Sequence, residues 1–202
     1  MKRFELSRDL FIYPTPTGVY YTVSSKEIDK PREFLRRLLD QRRTPELSLE
    51  NLQRLTGDKN EQKCLDLLFR CQQSGWVQGL KEPLSYLDGS LSEILPGLLT
   101  NLSETGKVLL ADQQGFYLSS QGFPHEVAEE LSALSAEIAT VHDRRSGLLL
   151  NNLRLGSHAW SVVDIFGNSQ IGFWPLFIGK SRFVLIMSGI PHFNQPEFVS
   201  LV

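Results

Sequence analysis

The sequence predicts an α+β protein in which a helix-rich N-terminal part is followed by a part built on one sheet. Helical start and stop signals recur between residues 31 and 75. Residues 104–190 instead read as strand, strand, one long helix and three more strands. Strand runs grouped around a single helix are typical of an antiparallel sheet with helices packed on it. We therefore expect two differently built parts in this chain of 202 residues.

Charge and composition divide the chain at about the same place. Residues 1–85 carry 15 Lys and Arg against 12 Asp and Glu, whereas residues 86–202 carry 6 against 11. The segment 83–90 is rich in proline, glycine and serine, which favour a turn-rich connection. The sequence thus predicts a first domain at 1–82, a linker at 83–90 and a second domain at 91–202.

Two short strand-like runs open the first part. Leu10–Tyr13 and Val19–Val23 flank Pro14–Gly18, whose prolines and glycine favour a turn. The second run holds tyrosine, threonine and valine, residues enriched in strands. These features predict a β-hairpin with a five-residue loop.

Three helices and a strand are predicted next. Pro31 suits the first turn of a helix that reaches about Gln41. Ser48 is placed to cap a helix over Leu49–Leu55, and Gly57 is placed to end it.

The third helix of this part is expected over residues 59–73. Asp58 and Glu61 have the spacing of a capping box, and Gly75 follows the last turn. Trp76–Leu80 then has the composition of a strand.

The layout of this first part resembles a winged helix, in which the third helix enters the DNA major groove. The basic residues that could contact nucleic acid or a partner are Arg36, Arg37, Arg42, Arg43, Lys59, Lys63 and Arg70. The third helix mixes these with acids, whereas DNA affinity requires a plainly basic surface. The leading hairpin also resembles the peptide-binding modules of the PqqD-like kind, where a peptide adds a strand. Peptide or protein binding is therefore favoured over DNA.

The second part begins with a predicted helix over Leu91–Leu102, in which Pro96 predicts a kink or two pieces. The remaining predicted elements are two strands at Gly106–Asp112 and Phe116–Ser119, a helix at Pro124–Asp143, a helical extension or loop at 148–155, strands at Ala159–Phe166, Gln170–Ile178 and Arg182–Ser188, and a short helix around Pro196. The last of these strands is apolar on both faces, so we expect it at the centre of the sheet. Pro175 predicts an edge, a bulge or a break in the strand that contains it.

This order of elements, with the phrase Val-Leu-Leu-Ala-Asp-Gln-Gln-Gly-Phe-Tyr-Leu-Ser-Ser-Gln-Gly-Phe-Pro at 108–124, resembles the roadblock family. The resemblance covers about 91–202. It implies an αββαβββα sandwich with a five-stranded antiparallel sheet. It also implies a cytoplasmic, bacterial, non-catalytic homodimer that docks or regulates a Ras-like small GTPase, formed by sheet extension and side-by-side helices. The N-terminal extension and the aromatic-rich region 159–177 depart from the family pattern.

The long helix carries a large apolar stripe with spacings of 4, 3, 4 and 3 residues and a second set of alanines. We expect the large stripe to pack on the sheet and the alanines to allow a second helix to approach closely. The aromatic strands add two tryptophans that suit an interface. The candidate dimer or partner interface is Val127, Leu131, Leu134, Ala136, Ile138, Trp160 and Trp174.

Nothing in the sequence predicts catalysis, a cofactor or a metal site. The glycine-rich nucleotide motifs, the metalloprotease motif and Cys-x-x-Cys are absent. Cys64 and Cys71 are seven residues apart on a predicted helix, about 10 Å, which is too far for a disulfide. Met1–Leu10 lacks the apolar core of a signal peptide, and no apolar run is long enough to span a membrane.

Three hypotheses follow for function. The first is the dimeric GTPase adaptor. The second is a transcriptional regulator whose first part binds DNA and whose second part dimerises. The third is a peptide-binding accessory protein. An enzyme is the least favoured.

Overall fold

The computed structural model describes residues 6, 7, 9–85 and 89–202. They form two compact units, one of residues up to 22 with 27–85 and one of 23–26 with 89–201. Predictions that fall on 1–5, on 8 and on 86–88 of the expected linker lie outside the described residues. The domain limits of 82 and 91 stay predictions.

The first unit combines a two-stranded antiparallel sheet with helices. Its elements are β1 (Phe11–Pro14), α1 (Pro16–Val23), α2 (Lys30–Leu39), α3 (Leu49–Thr56), α4 (Glu61–Gln73) and β2 (Val77–Leu80). The strand β1 pairs with β2. The helices α2, α3 and α4 and the strand β2 lie where the sequence predicts them. Their apolar faces meet in a core that contains Phe34, Leu38 and Leu52, each fully buried. Cys64 and Cys71 are buried free thiols. The winged-helix interpretation of this unit stays a prediction.

The predicted hairpin at the start is wrong, because Val19–Val23 is helical. Thr15 begins α1: its Oγ1 accepts a hydrogen bond from the Gly18 N–H at 3.1 Å, and its carbonyl accepts one from Val19 at 2.9 Å. A Cβ at Gly18 would overlap the backbone of Trp76, so the helix packs closely on the chain entering β2. That contact overrides the strand preference of the side chains, and β1 pairs with the distant β2 instead.

The capping residue of α4 also differs from the prediction. Asn60 is the N-cap, and its side-chain oxygen accepts the Lys63 N–H at 3.0 Å. Asp58 instead accepts the Asn60 N–H at 2.9 Å, which forms the turn before the helix. Aspartate and asparagine both favour N-cap and turn positions, so the residue types do not decide between the two roles. The cap predicted from the spacing to Glu61 is therefore two residues too early.

A polar stack is built into the first unit. The Asp29 carboxylate caps α2 by accepting the Arg32 N–H, and it pairs with the Arg32 guanidinium at 2.6 Å. Tyr21 Oη donates to the same carboxylate at 2.7 Å. The guanidinium lies 4.3 Å from the Tyr21 ring centroid, and that ring stacks on Trp76 at 3.8 Å. Burial, then the bond to Asp29, raises the pKa of Tyr21 to about 12.

The second unit is an α+β sandwich. Its elements are α5 (Leu91–Leu99), β3 (Val108–Ala111), β4 (Tyr117–Gln121), α6 (His125–Ser146), a π-helical segment (Gly147–Asn152), β5 (Trp160–Val163), β6 (Ser169–Ile178), β7 (Ser181–Ser188) and α7 (Pro196–Leu201). The five strands form an antiparallel sheet in the order β4-β3-β7-β6-β5. The predicted five-stranded antiparallel sheet is confirmed, with β7 at its centre.

Both faces of the sheet are covered in its middle. On one face Leu109, Phe173 and Ile186 form a cluster with Ala128 of α6. All four residues of β3 are buried, so its alternate side chains are covered from the opposite side as well. There α5 and α7 meet, and Asn101 after α5 donates to Glu197 of α7 at 3.2 Å.

Three local features refine the predicted elements. The helix α5 continues through Pro96 as one piece and ends at Leu99. The helix α6 runs past Asp143 into the π-helical segment, which is the helical form of the extension expected at 148–155. The strand β6 contains Pro175 without a break, but β5 pairs with β6 only as far as Phe173. Pro175 therefore lies where β6 has a neighbour on one side, as its missing N–H requires.

Candidate protein interaction surface

The helix α6 turns small residues toward the sheet. The buried positions on this helix are Ala128, Ser132, Ser135, Ala139 and His142. The two serine hydroxyls bond within the helix, Ser132 Oγ to the Ala128 carbonyl and Ser135 Oγ to the Ser132 carbonyl, each at 2.7 Å. Small side chains with internally satisfied hydroxyls let the helix lie close to the sheet.

Three of the larger apolar residues of α6 are consequently left at the surface. Val127, Leu134 and Val141 are each about two-fifths exposed. Leu131 and Ile138 are partly buried against the sheet cluster, and Ala136 is partly buried. The expected packing on the sheet is therefore found for Leu131 and Ile138 but not for the other three large residues, while Ala128 and Ala139 are buried and Ala133 is exposed. The helix presents an apolar ridge at heptad spacing beside the sheet.

The edge strand β5 begins beside the C-terminal end of α6, where Trp160 contacts His142, the residue after Val141. All four of its residues are exposed, and it ends the strand order, so its outer side has no strand partner among the described residues. Trp160 and Val162 pair with Phe173 and Ile171, which belong to the cluster under α6. Their side chains therefore share the α6 face of the sheet. We call β5 with Val127, Leu134 and Val141 the edge–helix surface.

Trp160 is anchored to α6. Its Nε1–H donates to Nδ1 of the buried His142 at 3.1 Å. The ring of His158 lies 4.6 Å from that of His142. The cavity beside them has a volume of about 20 Å³, room for one water, so a ligand has no space here. The contact fixes the start of β5 to the end of α6.

Trp174 lies on the opposite face of the sheet. Its ring packs edge-on against Phe193, with centroids 5.6 Å apart, and Phe193 packs on Phe198 of α7 at 5.0 Å. A Cβ at Gly172 would overlap the Trp174 ring. The two tryptophans singled out from the sequence thus do not share one surface.

The turn between β5 and β6 projects two large apolar side chains. Ile165 is 93% exposed and Phe166 is 82% exposed. The Asp164 carboxylate holds the turn by accepting the N–H groups of Phe166 at 2.8 Å and Asn168 at 3.0 Å. Gly167 adopts a φ of 84°, which a glycine supplies without strain. We call Ile165 and Phe166 the hairpin tip.

The hairpin tip is expected to lose its ordered conformation at acid pH. Backbone hydrogen bonds, first that from Asn168, hold the pKa of the Asp164 carboxyl below its ordinary value. Because the pKa of Asp164 is lowered in the folded turn, its carboxylate stabilises the turn fully at pH values above the ordinary pKa of the group. This stabilisation is lost as pH falls through the lowered pKa. An NMR titration following the Asp164 carboxyl and the Phe166 amide should give the same low midpoint. Asp164→Asn should abolish that transition, and an ordinary midpoint for Asp164 would contradict the assignment.

The basic residues of the first unit do not form a common patch. Arg37, Lys63 and Arg70 line a polar cavity of about 270 Å³ with Lys30, but the acids Glu33, Asp58 and Asp66 line it too. Arg37 Nη1 also donates to the Leu55 carbonyl at 3.2 Å, which ties α2 to the end of α3. Arg36, Arg42, Arg43 and Lys59 lie outside this cavity. Its balanced charge lacks the basic character of a phosphate-binding surface.

In the part of the chain that the structure describes, no group of three His, Cys, Asp or Glu residues is placed to hold a metal ion. Within the same ranges, no helix combines the length and apolar character needed to cross a bilayer.

Sequence reasoning missed Val162, Val163 and the hairpin tip as surface residues. The sequence predicts the run 159–166 as a strand of the sheet, in which Trp160 is the candidate interface residue. The available signal was Asp164 followed by Gly167, which ends the strand early and leaves Ile165 and Phe166 in a turn.

No protein-family model matches the sequence, and no curated protein matches it. Among solved structures the chain is similar to a Roadblock/LC7 domain from Streptomyces avermitilis. The two chains are 14% identical with a TM-score of 0.36, over 56% of this chain and 88% of that one.

Proposed function

We propose that this protein is a non-catalytic adaptor that acts as a homodimer, and that two copies meet at the edge–helix surface. The observation that carries the proposal is the strand β5, an edge strand whose four side chains are all exposed and mostly apolar. Such an edge is a template for pairing with another strand. Continuity with the apolar ridge of α6 makes a larger surface than a single strand offers.

The charge distribution on α6 favours a second copy as the occupant. Its first turns carry Glu126, Glu129 and Glu130, and its last turn carries Arg144 and Arg145. A two-fold axis through antiparallel β5 strands would set two α6 helices antiparallel. The acidic start of each helix would then lie near the basic end of the other, with opposed helix dipoles.

The dimer's partner, in this proposal, is a Ras-like small GTPase. Support comes from the resemblance of residues 108–124 to the roadblock family. The adaptor would act by holding the switch loops of the GTPase, supplying no catalytic group of its own. Co-purification with a small GTPase encoded nearby, loaded with GDP or with a GTP analogue, tests this. Retention in neither nucleotide state would remove the GTPase from the proposal and leave the dimer standing.

The dimer is tested by a charge placed on its edge strand. Val162→Lys is expected to lower the molar mass by light scattering from that of two chains to that of one. A lysine there would have to be buried, which costs several kcal/mol. Leu118→Lys is the matched control, because Leu118 is an exposed apolar residue on the opposite edge strand β4. It should leave the dimer intact. A dimeric Val162→Lys protein, or a monomeric wild type, would contradict the proposal.

A further inference from the structure

Two exposed apolar groups lie at opposite ends of the edge strand β5. At one end is the hairpin tip, Ile165 and Phe166. At the other is the segment that leads from α6 into β5, which we call the leucine segment. It contains four leucines, each about half exposed: Leu148, Leu150, Leu153 and Leu155. Isolated exposed apolar residues are ordinary, but two groups of this size flanking a bare edge strand call for a covering surface.

The leucine segment has a defined backbone although its side chains are uncovered. It begins as the π-helical segment, and the Leu153 and Leu155 N–H groups then bond to the carbonyls of Leu148 and Leu149 at 3.0 and 2.8 Å. Arg154 adopts a φ of 56°, a left-handed conformation that a non-glycine residue adopts at some energetic cost. Such strained backbone persists where surrounding structure or function requires it.

Antiparallel pairing of two β5 strands brings these two groups together. A two-fold axis between Ser161 and Val162 places Val163, the last residue of β5, opposite Trp160 of the second copy. The turn that carries Ile165 and Phe166 then lies beside the chain that enters β5 of the second copy. The leucine segment ends on that chain at Leu155, five residues before Trp160. Symmetry produces the same contact twice, once at each end of the paired strands.

We infer that in the homodimer each copy docks its hairpin tip on the leucine segment of the other. This rests on the proposed function and deepens it, because it names the contacts that lock the pairing register. The charges next to the two groups agree with it: Asp164 adjoins the tip, and Arg154 lies within the leucine segment. One partner of any other kind would have to match both ends of β5 at once, whereas a second copy does so by symmetry.

The test uses two complementary variants of the full chain. The acidic-tip variant carries Ile165→Glu and Phe166→Glu, and the basic-segment variant carries Leu153→Lys and Leu155→Lys. Each alone loses both apolar contacts of its dimer. We expect the dissociation constant by analytical ultracentrifugation to rise at least about tenfold in each, since each contact buries large apolar side chains. Phe116→Glu, at an exposed aromatic in the β3–β4 turn, is the matched control and should leave the constant unchanged.

Mixing the two variants gives the decisive measurement. A heterodimer of one chain of each has one unaltered apolar contact and one contact between two glutamates and two lysines. Native mass spectrometry should therefore show heterodimers well in excess of either homodimer. Wild-type dissociation constants for both variants, or a mixture without heterodimer enrichment, would overturn the inference. If Val162→Lys dissociates the dimer but the tip and segment variants leave it intact, the inference is overturned and the proposed dimer stands. A monomeric wild type would overturn the proposed function with it.

Discussion

Asp29→Ala is expected to lower the free energy of unfolding of the first unit by about 3 kcal/mol. The change removes the N-cap of α2, which costs about 1 kcal/mol. It also leaves the guanidinium of Arg32, which is 7% exposed, without its carboxylate. Removing one partner of a fully buried pair costs about 3–5 kcal/mol, and we reduce this to about 2 because the Asp29 side chain is 39% exposed. Urea unfolding followed by tryptophan fluorescence measures the change, with Trp160 and Trp174 replaced by phenylalanine in all variants so that Trp76 gives the signal.

Asp29→Asn is the matched control. Asparagine caps helices as well as aspartate, so only the charge beside Arg32 is lost, and the destabilisation should be smaller by about 1 kcal/mol. Equal losses in the two variants would show that the ion pair, rather than the cap, stabilises this corner.

The same cluster gives an alkaline dependence with a defined sign. The folded-state pKa of Tyr21 is raised to about 12. Its contribution to stability is therefore complete below its ordinary pKa of 10 and is lost as pH rises toward 12. Burial is the larger cause, so Asp29→Ala should shift that loss to lower pH without abolishing it.

Local signals in the sequence were sufficient for the helices of the first unit. Ser48 accepts the Asn51 N–H at 3.2 Å, and Gly57 adopts a φ of 70°. Both therefore act as the N-cap and the C-terminal glycine that the local sequence predicts for α3. They failed at Val19–Val23, where a contact with a residue more than fifty positions away decides the structure. The fit of Gly18 against Trp76 is a property of the folded chain and leaves no local pattern.

The orientation of α6 could not be read from the sequence for a related reason. The hydrophobic pattern predicts that the largest residues face the sheet. The sheet itself presents large residues toward α6, among them Phe173 and Ile186. Small residues on the helix are then the complementary choice, and Val127, Leu134 and Val141 are left at the surface. The candidate interface was therefore partly predictable by residue, but the face it belongs to was not.

Ser132→Leu is expected to lower the free energy of unfolding of the second unit by about 3 kcal/mol and to weaken the proposed dimer as well. Ser132 is fully buried, so the larger leucine side chain would have to displace its neighbours. Extra methylene groups in a well-packed core cost about 1–3 kcal/mol. Here the bulk would also lift α6 from the sheet and displace the ridge from β5. Thermal unfolding and light scattering measure the two effects.

Ser132→Ala separates bulk from polarity at the same position. The Ser132 hydroxyl bonds only to the Ala128 carbonyl of its own helix, and alanine is the better helix former. The alanine variant should therefore stay within about 0.5 kcal/mol of the wild type and remain dimeric. If alanine destabilises as much as leucine, the hydroxyl matters more than the close approach of α6. If leucine is tolerated, α6 does not lie against the sheet as closely as its small residues indicate, and the edge–helix surface loses its basis.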